Sequence, residues 1–531
     1  MKTMPKTVVI PATAVDTLRT QLLQDEQERA AFAGCTRILT GERYCVVDIQ
    51  PLADEEMAIS KPGECRPTNA AERAFLSQCQ DSDTHPLIVH SHPFAEQAAL
   101  SSRDHDAIHR YADWLDGFLE ADLLFGVLGQ ENLVVARYDP EQEAVEALPV
   151  SVVGDWKLDR PLAGQVIKPG MGLPPTLDTN RYNRNILVFG EQAQKQLAAA
   201  TVGVVGCSGI GSFLVEQLAR IGVGHLVLID PDDVEESNLP RLVGAQPGDV
   251  GHPKVQVMQE VAHRANPDCI TTAVYNGIGT ESALEQMQAA GVDLLVSGVD
   301  QTSARYLLNE VSVRTMTPWV DAGTRIETTD DASEVAATNI YVQTVAPQAT
   351  ACFDCMERGN PEDAYREQLS ETELQQQVER GYIDETALSP APAVIMPNAM
   401  AAATAVDAVV KVVTGYDTPP DFIRHDLTSH EHAAITTAPR ENCPTCGRRG
   451  VLGIGLDGLS AESVVPAVAS DTDPAAEDVQ EAVDPETITI DRTVDATAAT
   501  ESESTAVDTD DHGQDQYFPA SVTAYFQRTQ S

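Results

Sequence analysis

Lysine is scarce in this chain of 531 residues: 35 basic side chains, eight of them lysines, stand against 81 acidic ones, for a formal net charge of -46. A surface of that sign repels phosphate backbones and anionic membranes, which argues against nucleic-acid and membrane partners. The acidic excess reads instead as the solvation shell of a halophilic, salt-adapted cytoplasm, where charge is screened. No apolar run stands out as long enough to span a bilayer, and the start, MKTMPKTVVIPATAVDTL, lacks the apolar core and cleavage site of a secretory signal. A cytoplasmic location is expected. Of ten cysteines, four sit in two Cys-x-x-Cys pairs. In a reducing compartment that pattern favours a metal over disulfides.

The length allows two or three domains. Residues 1–150 mix strand-like runs such as PLIVHSH with helical stretches such as SSRDHDAIHRYADWLDGFLEADLL, and are expected to form a small α/β domain. Residues 151–180 include PLAGQVIKPGMGLPPTLDT, rich in Pro and Gly, and read as a linker. Between 181 and 457 the runs TVGVVG, HLVLID and DLLVSGVD have the character of buried strands and alternate with helical segments, which predicts a parallel, doubly wound, Rossmann-like sheet. From 458 to 531 Asp, Glu, Thr, Ala and Ser dominate. Such an acidic tail cannot bury enough apolar surface to offset its ordering entropy and is expected to be disordered.

The stretch HSHPFAEQAALSSRD, residues 90–104, carries the first chemistry. Residues i and i+2 of a strand share a face, with Cα atoms about 6.6–6.8 Å apart, so His90 and His92 can converge on one ion. Asp104 offers a third ligand and Ser101 a hydroxyl nearby. Two imidazoles, one carboxylate and an open position make a catalytic zinc arrangement, which needs a further carboxylate to take a proton from water. His-Ser-His-Pro followed by Leu-Ser-Ser-Arg-Asp resembles the JAMM (MPN-type) metalloproteases, which remove ubiquitin-like modifiers from their targets. The resemblance implies His90, His92 and Asp104 as ligands and Ser101 as the group that stabilises the tetrahedral intermediate. It places a general-base glutamate upstream, which we assign to Glu28 in DEQERAAFAGCTRI, with Glu26 in reserve. Eight residues, Pro93 to Leu100, separate His92 from Ser101, where the family usually has seven; a surface loop accommodates one more.

The second chemistry begins at VVGCSGIGSFLVEQLARIG. Gly206, Gly209 and Gly211 form a turn opening a helix, whose N–H groups can cradle an anion. The spacing differs from the G-x-G-x-x-G of dinucleotide dehydrogenases, although Asp230 at the next strand end could still bind a ribose. DPDDVEESNLPRL and VGHPKV then supply Asn238, Arg241 and Lys254. Such a cluster suits a triphosphate, because attack on its α-phosphorus develops charge that must be neutralised. These motifs, with RYNRNILVFG before them, resemble the ThiF/MoeB adenylyltransferases, the ubiquitin-activating type, over about residues 181–450. The resemblance implies ATP as substrate, Asp230 on the ribose, Asn238, Arg241 and Lys254 on the phosphates, and Asp300 on Mg²⁺. Arg184 would reach in from a partner subunit, which implies a homodimer. Cys352, Cys355, Cys443 and Cys446 can close a tetrahedral zinc site; the family orders its structural zinc cysteines in the same way.

Residues 356–442 contain no cysteine, so no thioester-forming nucleophile is available in that region, and Cys207 reads as a small residue in a tight turn. The expected protein is therefore bifunctional. It would adenylate the C-terminal glycine of a ubiquitin-like or sulfur-carrier protein and use a zinc peptidase to trim or deconjugate that modifier. Two alternatives remain: adenylation of a small-molecule or RNA-linked carboxylate beside a separate peptidase, and a first domain that only binds a modifier.

Overall fold

The computed structural model describes residues 6–38, 43–115, 119–160, 162, 177–329, 334–383 and 391–460. The tail from 461 onward and most of the segment between 161 and 176 lie outside them.

In the first lobe the strands are β1 (Thr7–Pro11), β2 (Ala30–Ile38), β3 (Arg43–Pro51), β4 (Met57–Lys61), β5 (Glu64–Pro67), β6 (His85–Ser91), β7 (Leu124–Leu128), β8 (Leu133–Asp139), β9 (Ala144–Leu148) and β10 (Val150–Val153). Eight of them form one mixed sheet, in the order β10-β1-β3-β2-β6-β7-β8-β9, while β4 and β5 make a separate hairpin. Apolar residues point to both faces. Phe32, Ile88 and Phe125 pack with the helices Asn69–Ser82 and Ser102–Leu115, while Val9, Tyr44 and Val89 belong to a larger core on the other side. Strand β10 runs past residue 150, where the domain boundary was expected, because Val150 and Val152 continue the apolar alternation that seats it in parallel beside β1.

The second lobe contains β11 (Thr201–Val205), β12 (His225–Ile229), β13 (Ile270–Val274), β14 (Leu294–Ser297), β15 (Trp319–Thr328), β16 (Val335–Val345), β17 (Phe422–Asp426) and β18 (Glu431–Ile435), ordered β13-β12-β11-β14-β15-β16-β17-β18. The first five are parallel, with buried apolar runs in β11, β12 and β14 at the centre, and the last three extend the sheet antiparallel. Chain order reverses between β11 and β14. Loops leaving the carboxyl ends of those strands therefore diverge and leave a crevice, the usual ligand position in such sheets.

One helix, Ile395–Thr414, does have the length and apolar character of a membrane span, with a mean hydropathy of 1.3. It escaped the sequence reading because its apolar residues are small alanines and valines broken by polar positions. It packs in the second lobe beside the helix Gly209–Ile221, and Ala401, Ala405, Val409 and Val413 are buried in that core.

Among the described residues the two lobes are in direct contact. The described residues fall in one compact unit, and a single apolar core runs from Val8, Tyr44 and Val150 to Trp319, Val345 and Cys352. Arg43 donates to the Thr315 carbonyl at 3.0 Å, and Lys157 pairs with the buried Asp421 at 2.6 Å. Beyond the last cysteine pair the chain passes between the lobes. Gly453 donates to the Val313 carbonyl, and Thr36 donates to that of Gly453. Order thus persists past residue 458, with Leu459 buried.

Candidate active sites

Strand pairing assembles the first site. In the antiparallel register of β2 and β6, Ala30 faces His90, and the pairing continues through Arg29 and Ser91, which exchange backbone and hydroxyl hydrogen bonds. Glu28, one residue further out and buried, is thereby carried to the histidines. One ligand atom from each of Glu28, His90 and His92 lies within 4.8 Å of the others. His90 Nε2 and His92 Nε2 are 3.1 Å apart, and Asp104 places its oxygens 3.2 Å from His90 and 3.8 Å from His92. Ligands at about 2.0–2.1 Å from a tetrahedral ion stand at such mutual distances, so this donor set fits zinc.

Electrostatics agree with that chemistry. Burial would raise the Asp104 carboxyl, but His90 and the Ser101 N–H outweigh it and hold the group down at about 2. Burial, helped by the neighbouring His90, pushes His92 below its ordinary value, toward the neutral imidazole that ligates metals. Glu28 is pushed upward by burial, against His90 and a hydrogen bond from the Gly63 backbone. A raised glutamate accepts a proton more readily.

Ser101 lies just before the helix Ser102–Leu115. Its hydroxyl accepts from the Asp104 N–H at 3.3 Å, and its own N–H donates to the Asp104 carboxylate at 2.6 Å. This reciprocal cap holds the serine beside the ligand. The loop between His92 and Ser101 is held at the neighbouring turn, where buried Asn132 clamps Ala98 through two hydrogen bonds and Gln130 donates to the Pro93 carbonyl. Sequence reading missed the β4–β5 hairpin over this site. Ser60 donates to the Glu28 carbonyl, and Arg103 donates to the Gly63 carbonyl at the hairpin tip. No local signal links those residues.

The second site opens the crevice between β11 and β14. Gly206 adopts φ +84°, and a Cβ on Gly211 would lie 1.7 Å from the Gly206 carbonyl oxygen, so the turn admits no side chain at either position. Asp230, buried at the end of β12, accepts from the Cys207 N–H at 2.6 Å and the Asp232 N–H at 2.9 Å. These bonds tie the glycine turn to the next strand and leave acceptor capacity on both oxygens. Arg241 lies against Gly209, and so does Asn398, which the sequence reading did not single out. Asn238 is buried within a short turn and accepts from the Glu235 N–H. Lys254 is buried and paired with Asp232 at 2.7 Å, a partner also not anticipated.

Asp300 is exposed on the loop after β14 and has no hydrogen bond or ion pair among the described residues. A free carboxylate fits Mg²⁺, which takes one or two protein carboxylates beside substrate phosphates. Arg184 is exposed on the short helix Asn183–Phe189, whose Asn185 bonds the Ile221 carbonyl. That carbonyl ends the helix Gly209–Ile221, so about 20 Å of helix separates this neighbourhood from the glycine turn of the same chain.

The four cysteines meet at one point, each Sγ within 4.8 Å of the others; Cys352 and Cys443 are 3.6 Å apart, Cys355 and Cys446 3.4 Å. A disulfide would need about 2.05 Å, whereas thiolates on tetrahedral zinc stand about 3.8 Å apart, so the set fits the metal. The Arg440 N–H donates to Cys355 and Asn309 to Cys352, the outer contacts such ligands need. The remaining second-lobe thiols are buried. Burial pushes Cys207 well above its ordinary value and Cys269 up to about 12.

Residues 182–445 match the ThiF family. Protein HesA of Nostoc sp. is 30% identical over 261 residues, an alignment covering 49% of this chain and 89% of HesA. The chain belongs to the ThiF family. Shorter stretches match two further relatives. The SAMP-activating enzyme E1 of Haloferax volcanii is 37% identical over 134 residues, 25% of this chain and 49% of that enzyme. The tRNA threonylcarbamoyladenosine dehydratase of Bacillus subtilis is 37% identical over 121 residues, 23% of this chain and 47% of that enzyme. The second lobe is thus an adenylyltransferase of the ThiF family, with its glycine turn in the matched region.

Proposed function

We propose that this chain activates and processes one ubiquitin-like or sulfur-carrier protein. The second lobe would adenylate its C-terminal glycine, and the first lobe would trim a precursor or cleave conjugates to regenerate that glycine. The observation that carries the reading is the convergence of Glu28, His90, His92, Asp104 and Ser101 in a lobe sharing a core with a ThiF-family adenylyltransferase. The match to the SAMP-activating enzyme supports a protein tail as substrate.

In the adenylation step a substrate carboxylate oxygen attacks the α-phosphorus of ATP. The bond to the bridging oxygen of pyrophosphate breaks, and an acyl-adenylate forms. Glycine-turn N–H groups would hold phosphate oxygens, Asp230 the ribose, and Asn238, Arg241 and Lys254 the developing charge. Lys254 would exchange its bond to Asp232 for phosphate. Mg²⁺ on Asp300 would supply charge neutralisation. Arg184 would act in a second copy; its distance from its own glycine turn supports a homodimer, as do Leu187 and Val188, 70% and 67% exposed on the same helix.

In the first lobe, His90, His92 and Asp104 would hold zinc, whose Lewis acidity brings the pKa of water toward about 7. Glu28 would take the proton and pass it to the leaving amine, and the Ser101 hydroxyl would donate to the developing oxyanion. The four cysteines would hold a structural zinc. The chain would work in the cytoplasm.

The test incubates the full chain with ATP and candidate glycine-ended modifiers. Mass spectrometry should find an AMP adduct and trimmed C-termini, and the absence of both with every modifier would refute the reading. The dehydratase match favours a second one, an RNA-linked carboxylate. Pyrophosphate exchange dependent on RNA and not on a modifier would establish it, although a net charge of -46 opposes RNA binding.

A further inference from the structure

Behind the loop that carries Asp300 lies a buried ionic cluster. Asp321 on β15 is fully buried, and its Oδ1 accepts from the Ser297 hydroxyl at 2.8 Å and from Arg305 Nε at 3.3 Å. Arg358 stands 3.0 Å from the other oxygen, an ionic contact without hydrogen-bond alignment, and donates to Gln343. Arg305 uses its remaining fork to donate to the Val299 carbonyl at 2.5 Å, and Val299 immediately precedes Asp300. A Cβ on Gly323 would stand 3.1 Å from the same guanidinium, so the glycine leaves the room that Arg305 occupies. On the far side of Asp300, Glu367 accepts from the Thr302 and Ser303 N–H groups. Asp300 therefore sits on a short loop tied down on both flanks, with its own carboxylate left free.

We propose that Asp321 and Arg305 are positioning residues for Asp300: the buried carboxylate orients the Arg305 fork, the fork grips the Val299 carbonyl, and the grip presents Asp300 to a divalent cation. This rests on Asp300 as the Mg²⁺ ligand. The cluster joins the loop to Arg358, three residues beyond the first cysteine pair.

The full chain is loaded with a non-hydrolysable ATP analogue, and Mn²⁺ affinity is measured by electron paramagnetic resonance. In parallel, pyrophosphate exchange is followed against Mg²⁺ concentration. Arg305→Lys keeps the charge but loses the fork. It and Asp321→Asn should weaken Mn²⁺ binding about 10- to 100-fold, the range for groups that orient a metal ligand. The exchange curve should shift to higher Mg²⁺ and recover at saturation. A fall in exchange at all Mg²⁺ concentrations with unchanged Mn²⁺ affinity overturns the proposal. If Asp321→Asn does not fold, Arg305→Lys decides. Unchanged Mn²⁺ affinity in Asp300→Ala overturns the Asp300 reading and the proposal with it; weakened affinity there but not in Arg305→Lys overturns the proposal alone.

Discussion

Two clusters of metal-ligand type stand among the described residues, and they differ in how they are closed. The cysteine cluster takes four sulfurs from two pairs separated by 91 positions, Cys352 to Cys443 and Cys355 to Cys446. Four thiolates would fill every position around a tetrahedral ion, and a site closed in that way holds chain segments together. The histidine cluster takes His90, His92 and Asp104 from residues 90–104 as candidate ligands and brings Glu28 beside the two histidines as a further donor. Its ligands are nearly local in sequence, so a metal there closes little chain. Closure and spare donors, more than the identity of the ion, separate a structural site from one able to do chemistry.

The sharpest break of that comparison is metal removal. Cys443→Ser with Cys446→Ser should remove one zinc and lower the unfolding temperature of both lobes, because binding at structural zinc sites runs to about 10–16 kcal/mol and is coupled to folding. The strap that passes between the lobes begins at those cysteines. His90→Ala with His92→Ala should remove the other zinc and leave the unfolding temperature nearly unchanged. Equal shifts, read by calorimetry and metal analysis, would erase the distinction.

Within the open site, Glu28→Gln should cut peptide cleavage by about 10²- to 10⁴-fold, the range for a lost general base, while keeping both metals and full adenylation. Loss of a zinc with it would make Glu28 a ligand instead. In the nucleotide crevice, Lys254→Ala should slow pyrophosphate exchange about 10- to 100-fold, as expected for one charged hydrogen bond, without touching cleavage. An equal drop in cleavage would mean the lobes do not act separately.

The smallest effect concerns the buried cluster between the sites. Arginines on both sides hold the Asp321 carboxyl below its ordinary 3.8 against the opposing effect of burial. A carboxylate with a depressed folded pKa contributes stability that is full above 3.8 and lost as pH falls below it. Acid unfolding below about pH 4 should therefore be less steep in Asp321→Asn, and equal slopes would mean that Asp321 does not carry this dependence.

The candidate donors were legible because they stand at short spacings: His90 at the end of β6 and His92 just beyond it converge, and a helix start places Ser101 against Asp104. Glu28 was harder to find. Only the register of β2 on β6 selects it over Glu26, and in an acidic chain no spacing argument does so. The glycine turn and Asp230 were equally plain, being consecutive features of one strand-turn-helix unit. Lys254 was found but its partner Asp232 was not, because the pairing depends on how the loop after β12 folds back. The strand Val150–Val153 was not legible, because Pro and Gly content nearby says nothing of it and its partner strand lies some 140 residues earlier.

Residue type and local spacing by themselves determined the His90, His92 and Asp104 donor set, each Cys-x-x-Cys pair, the glycine turn and the alternation that makes a parallel sheet, since all act within one element or its neighbour. Tertiary structure alone decided which glutamate meets the histidines, that Asp321, Arg305 and Arg358 share one buried cluster, and that the lobes share one core. These last are contacts between residues far apart in the chain. Their existence depends on strand register and packing, which no window of sequence contains.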